Sequence, residues 1–340
     1  MSSNDSGHAE TASLGSAWRA TRLVDAPIVS AASDPSIGEN IQGPSMIRVP
    51  DWVENPLGRY YLYFADHKGA YIRLAYADAV AGPWRVHVPG SLQLEQSHFP
   101  AETLTLDEDT KARLTARMDQ SKMPHDIVLE LTTPHIASPD VHVDHDRRRI
   151  VMYYHGLEAP GRQITRVATS TDGVSFWASP EIVVERSYLR VFDHAGTTYG
   201  MTMPGQLYRS SDGFKSFTKG PLIFNSDMRH FGLLVRDDLL DVFWTQVGQA
   251  PERILHSTID LSRPFDEWTD SEAREVLRPE RPWEGADAPL EPSMRSVAYG
   301  LVNQLRDPAI YCEDERIYLL YAFGGESGIG IAELEWAEHA

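Results

Sequence analysis

The stretch PHIASPDVHVDHDRRRIVMYYHG, residues 134–156, carries four of the chain's thirteen histidines among aspartates and arginines. Such density fits either a metal site or one unit of a repeating β-architecture. Successive side chains of a strand point to opposite faces, so Val141 and Val143 fall on one side and Asp140 and His142 on the other. Asp144, His145, Asp146 and Arg147 to Arg149 then read as a tight polar turn, and IVMYYHG begins a second apolar strand. The stretch is one hairpin, and its two ends have different fates.

The same unit recurs. Five apolar, aromatic-rich hairpins, RYYLYFADHKGAYIRLAYAD, RIVMYYHGLEAPGRQITRVATSTDG, TTYGMTMPGQLYRSSDG, LLDVFWTQVGQAPERILHSTID and RIYLLYAFGGESGIGIAELE, each join two β-rich runs through a loop with glycine or proline. Three run on into an acidic turn and an aromatic: ADAVAGPW, STDGVSFW and SSDGFKSF. A further short strand precedes each hairpin, beginning near residues 43, 138, 188, 230 and 307. Four strands per unit and five units predict an all-β, five-bladed β-propeller. Helical periodicity is confined to residues 105–120 and 267–277, which read as insertions between blades. WRATRLVDAPIVS, near the N-terminus, is expected to supply the outer strand of the last blade and close the ring, which removes exposed sheet edges. The expected organisation is a flexible segment over residues 1–15 and one propeller domain over 16–340, with a helical insertion near 101–120.

With GPSMIRV, SPDVHVD and DPAIYCE opening blades and YYLYFA, IVMYYHG and IYLLYAF following them, residues 40–335 resemble the five-bladed propeller glycoside hydrolases of family 43 and its relatives. The resemblance implies a ligand site on the face shared by the starts of the inner strands and the loops after the second strands. It also implies inverting hydrolysis with a base from an Asp-Pro motif in the first blade, a second Asp that tunes acidity, and an acid Glu. Here Gln42, Gly43, Pro44 and Ser45 stand where that first-blade aspartate is expected, and none is a carboxylate. The Asp-Pro pair appears instead in the last blade, as Asp307 after Arg306.

Sorting polar residues onto that face gives the candidate site. Glycoside hydrolysis needs two carboxyl groups, about 5 Å apart for retention and about 6.5–9.5 Å for inversion. Asp140 and Asp307 are the candidate carboxylates; Arg306 is expected to hold Asp307 ionised. Glu158 and Glu291 are candidate acids. His155 and His230 are the alternative acid or base, since imidazole titrates near neutrality. His67, Lys68, His135, Arg190, Arg229, Gln246 and Arg306 are expected to bind substrate, the arginines clamping any carboxylate it carries. Trp244 and Tyr188 offer rings for stacking. His67, His135, His155 and His230 also raise the possibility of a divalent ion, although none has the spacing of a local metal motif.

Composition bounds the rest. The 340 residues are 42% hydrophobic and carry a formal net charge of −18, which suits neither a phosphate backbone nor an anionic membrane. No run approaches the roughly 20 apolar residues of a membrane span, and the first residues lack the pattern of a secretory signal, so a cytoplasmic location is expected. Cys312 is the single cysteine, so no internal disulfide forms; it reads as a buried structural thiol. Nucleotide phosphate loops and a GxSxG elbow are absent. The expectation is a carbohydrate-active enzyme of the glycoside hydrolase type on a sugar or glycoside-like small molecule, with no cofactor required. Two alternatives stay open: a sugar-binding propeller without turnover, and a lyase or other non-hydrolytic enzyme using histidine and a metal.

Overall fold

A computed structural model of the chain describes residues 17–116 and 126–337. Its strands form five antiparallel sheets. Blade 1 runs from the channel outward through 42–48, 60–65, 71–77 and 85–93; blade 2 through 136–144, 149–159, 162–170 and 177–178; and blade 3 through 190–194, 197–202, 206–210 and 217–222. Blade 4 comprises 228–236, 239–246, 254–260 and 274–277, and blade 5 comprises 305–313, 316–323 and 328–337. The inner strands begin within two residues of the positions read from the sequence. Residues 17–22 complete blade 5, pairing from Ala17 with Ala337 to Arg22 with Ala332, so the chain's early strand closes the ring. The expected flexible segment 1–15 lies outside the described residues.

Why the middle strands read as unbroken apolar runs is visible in Tyr60–Ala65, every residue of which is buried. Tyr60, Leu62 and Phe64 pack toward blade 5 while Tyr61, Tyr63 and Ala65 pack toward blade 2. A strand with a neighbouring blade on both faces has no solvent side to leave polar. Five apolar clusters result, one in each seam between adjacent blades. The blade 4–5 seam is clasped by buried Glu284, which accepts from Arg22 Nε at 2.7 Å and Nη2 at 2.6 Å and from the Tyr321 hydroxyl at 2.8 Å.

Three sequence expectations are corrected. Residues 267–277 contain no α-helix: a short 3₁₀ turn covers Phe265–Glu267, and Arg274–Leu277 is the outer strand of blade 4, Leu277 being buried in the seam. Sheet pairing and seam burial override the local helical pattern. Cys312 lies in an inner strand but is exposed. Trp244 is a core residue that donates its indole N–H to Ser257 at 3.2 Å. The insertion after blade 1 is helical over Glu108–Thr115 and again over Ile127–Thr132, and residues 117–125 are outside the described set. No helix among the described residues is long and apolar enough to cross a membrane.

Candidate functional site

Four of the inner strands have, within two residues of their first, a residue in the left-handed region: Gly43 (φ 63°), Ser138 (φ 48°), Tyr188 (φ 61°) and Asp307 (φ 48°). In three of them proline follows, at 44, 139 and 308, and the ladder register slips there, between Gln42 and Ser45, Ala137 and Asp140, and Arg306 and Ala309. Proline has no N–H to give a ladder, so the strand bulges, and a bulge re-aims the side chains beside it. The result is a ring of re-aimed residues around one end of the channel.

At that end lies a cavity of about 130 Å³ lined by Gln42, Ser138, His67, His155, Gln163, Tyr188, Met203, Arg229, His230, Glu130, Arg295 and Ser296, with Ala137. A buried chain of charges supports it. Arg229 Nε meets Glu252 Oε1 at 2.9 Å; Glu252 Oε2 lies 3.7 Å from Arg306 Nε; Arg306 Nη1 donates to Glu326 Oε1 at 2.8 Å. Glu326 also accepts from Asn40 at 2.7 Å and faces His67 Nδ1 at 3.3 Å. Burial opposes its charge, but His67, Asn40 and Arg306 together hold Glu326 down at about 2. Arg229 Nη2 is buried without a partner, a donor left available to a ligand.

Asp307 behaves oppositely to the expectation from its neighbour. Arg306 turns away to Gln304 and Glu326. Full burial, reinforced by the nearby charge of Glu326, raises Asp307 to about 7 despite the surrounding arginines. Neither carboxyl oxygen has a hydrogen-bond partner, and Oδ2 stands 3.4 Å from His230 Nδ1. His230 lines the cavity and its ring lies 5.1 Å from that of Tyr188. Asp307 therefore sits directly behind the cavity wall, with His230 between it and the mouth.

Burial holds His135, His155 and His230 neutral. Burial depresses His155 to about 3 and drives His135 and His230 well below the ordinary imidazole value, with nearby cations adding to the effect. His135 Nδ1 donates to the Thr133 carbonyl at 2.8 Å, and its ring packs edge-on against His155. No three of the described His, Cys, Asp or Glu residues gather as metal ligands. His67 faces Glu326, His230 faces Asp307 and His135 is committed to backbone, so the set does not fit a divalent ion.

Other candidates lie elsewhere. Asp140 lines the lower channel, a separate cavity of about 380 Å³, because the bulge before it shifts the strand's alternation. There burial opposes its charge, but His142 at 2.7 Å, Arg190 at 3.6 Å and the Val191 amide hold it below the usual carboxylate range. Arg190 lines the same lower cavity and stacks on Tyr188, 4.5 Å from the ring centre. Glu158 pairs with Arg166 at 2.9 Å and Gln246 accepts from Asn225 at 3.2 Å, neither at the mouth cavity. Lys68 pairs with Glu130 at 3.1 Å, and Glu291 is exposed. Sequence reasoning missed Glu252, Glu130, Arg295 and Ser296. Glu252 lies in the loop after the second strand of blade 4, one of the loops that the resemblance puts on this face; the other three come from insertions whose placement no strand register encodes.

A protein of Acanthamoeba polyphaga mimivirus, R118, is 34% identical over 323 residues, which span 87% of this chain and 83% of that protein. The chain belongs to the family of this mimivirus protein. No family model matches it. Among solved structures, a family 43 (GH43_1) enzyme of Xanthomonas citri aligns over 94% of this chain and 92% of its own, with a TM-score of 0.54 at 12% identity. A family 43 β-xylosidase/α-arabinofuranosidase from a compost metagenome, in complex with xylotriose, covers 94% and 96% with a TM-score of 0.53 at 12% identity. An exo-1,5-α-L-arabinanase from a bovine ruminal metagenome covers 90% and 95%, with a TM-score of 0.53 at 11% identity. The chain has the five-bladed propeller fold of the family 43 glycoside hydrolases.

Proposed function

We propose that the channel mouth binds a sugar or glycoside-like small molecule and that the Asp307–His230 pair moves the proton in chemistry on it, as in an enzyme of the glycoside hydrolase type. The observation that carries this is Asp307, a wholly buried carboxyl raised to about 7 and set 3.4 Å behind a histidine that faces the cavity. Perturbed carboxyls backed against a cleft are what acid–base catalysis requires. The pair shares one proton near neutrality: Asp307 carries it below about pH 7, and His230 presents its ring to the ligand. At 3.4 Å the contact is slightly long for a hydrogen bond, and such contacts tighten when a ligand closes the site. Arg229 Nη2 and His155 Nδ1, both buried and unpartnered, supply a donor and a second ring nitrogen to hydroxyl groups. The Tyr188 ring, covered by Arg190 and packed against His230, backs this wall without offering a face of its own.

One observation favours a second reading, a sugar-binding propeller without turnover. Hydrolysis uses two carboxyls, and the others nearby, Glu252 and Glu326, are each tied into the arginine chain. Asp307→Asn separates the readings. In the enzyme, hydrolysis of aryl glycosides falls at least about a hundredfold while sugar affinity measured by calorimetry stays within a few-fold. Wild-type protein that binds sugars but turns over none of a panel of pentosides and hexosides is a binding module, and protein that binds no sugar refutes both.

A further inference from the structure

The mouth cavity is not closed on itself. It shares Glu130, Arg295 and Ser296 with a second cavity of about 130 Å³, which in turn shares Met294, Val297 and Tyr299 with a third of about 230 Å³. Together they make a groove across the face of the propeller. Its far wall is the connection from blade 4 to blade 5, and its near wall is the helix Ile127–Thr132.

Both walls are fixed to the site. Arg229 Nη1 donates to the Met294 carbonyl at 2.9 Å and Arg306 Nη1 to that of Ser296 at 3.1 Å. The Ser296 hydroxyl donates to Glu130, which Lys68 also holds. The groove floor is unlike the mouth: Tyr299 is 69% exposed and Leu129 47% exposed, a flat aromatic and an aliphatic side chain with no protein partner on their outer faces. The cations that reach the groove are already committed, Lys68 to Glu130 and Arg295 to Asp227 at 3.0 Å. The carboxyl of Asp126 lines its middle and that of Glu291 its far end. A neutral sugar ring matches this surface, with C–H faces on the tyrosine and hydroxyls donating to carboxylates. A uronic acid does not.

Resting on the sugar reading above, we propose that this groove is a second subsite, centred on Tyr299, and that the ligand is a neutral oligosaccharide or glycoside whose next unit lies there. Calorimetry with matched pairs of xylose with xylotriose and galactose with β-1,3-galactotriose, together with trigalacturonic acid, tests it. Wild-type protein is expected to bind one neutral trisaccharide about tenfold or more tighter than its monosaccharide, about 1.4 kcal/mol, and to bind the trigalacturonate more weakly. Tyr299→Ala abolishes that ratio and Tyr299→Phe keeps it. Tyr299 is exposed, so both variants fold. A ratio near one in wild type, a ratio that survives Tyr299→Ala, or trigalacturonate bound best overturns the subsite alone. Absence of binding by every sugar overturns it together with the sugar reading.

Discussion

Replacing Asp307 by asparagine is expected to stabilise the protein in a pH-dependent way. Unfolded, the carboxyl titrates at an ordinary 3.8; folded, it is raised to about 7. A raised carboxyl favours the folded state only while protonated, so its contribution is fully present below pH 3.8 and is lost as pH rises toward 7. Each pH unit between those values costs about 1.4 kcal/mol, giving a penalty of about 2 kcal/mol at pH 5 and about 4 kcal/mol at pH 8. Asparagine has the same shape and no charge, so it escapes the penalty. Its amide brings a cost of its own, about 1–3 kcal/mol for an unsatisfied buried group, but that cost does not vary with pH. The quantity to read is therefore a difference of differences. Urea unfolding of both proteins at pH 5 and pH 8 should show the variant gaining about 2–3 kcal/mol relative to wild type between the two. A relative stability that is flat across this range, or that falls, refutes the raised carboxyl and with it the assignment of Asp307 as proton carrier.

Three further outcomes follow from the buried charges. Glu252→Gln leaves Arg229 and Arg306 short of a counter-charge and should cost about 3–5 kcal/mol in urea unfolding. Glu284→Ala removes the clasp on Arg22 and Tyr321 and should cost a similar amount, with tryptophan fluorescence reporting loss of the Trp18 environment at lower urea. Glu326 is held at about 2 against an ordinary 4.5; its stabilisation is present above pH 4.5 and lost as pH falls toward 2, about 3 kcal/mol in all. Glu326→Gln should therefore flatten the acid limb of stability between pH 5 and pH 2.

The repeat, the strand order and the closing strand were legible because each rests on local pattern: alternation, turn chemistry and apolar runs. What escaped was whatever depended on a bulge or an insertion. Asp140 is displaced from the mouth because one extra residue before it reverses the alternation that places every later side chain. Asp307 was expected to be ionised because Arg306 precedes it, yet full burial, with the charge of Glu326 nineteen positions away added to it, outweighs Arg306 and the other arginines. Residues 267–277 carry a helical pattern that lost to the need for a fourth strand.

The bulges also explain why the first blade lacks a carboxylate. Gly43, Ser138 and Asp307 occupy the same left-handed position before proline in three blades, so the frame offers that position repeatedly. Blade 1 is closed to a side chain all the same: a Cβ on Gly43 would stand 2.9 Å from the Ser138 Cα, and backbone there cannot yield cheaply. Gly43→Asp is thus expected not to recreate the first-blade carboxylate that the family 43 resemblance calls for, but to cost about 2–4 kcal/mol from overlap and left-handed strain. Gly43→Ala should cost nearly as much, since the clash belongs to Cβ and not to the charge. Nor should Gly43→Asp restore turnover to Asp307→Asn. An Ala variant as stable as wild type would show that blade 1 has room, and the displacement of the carboxylate to blade 5 would then need a cause other than packing.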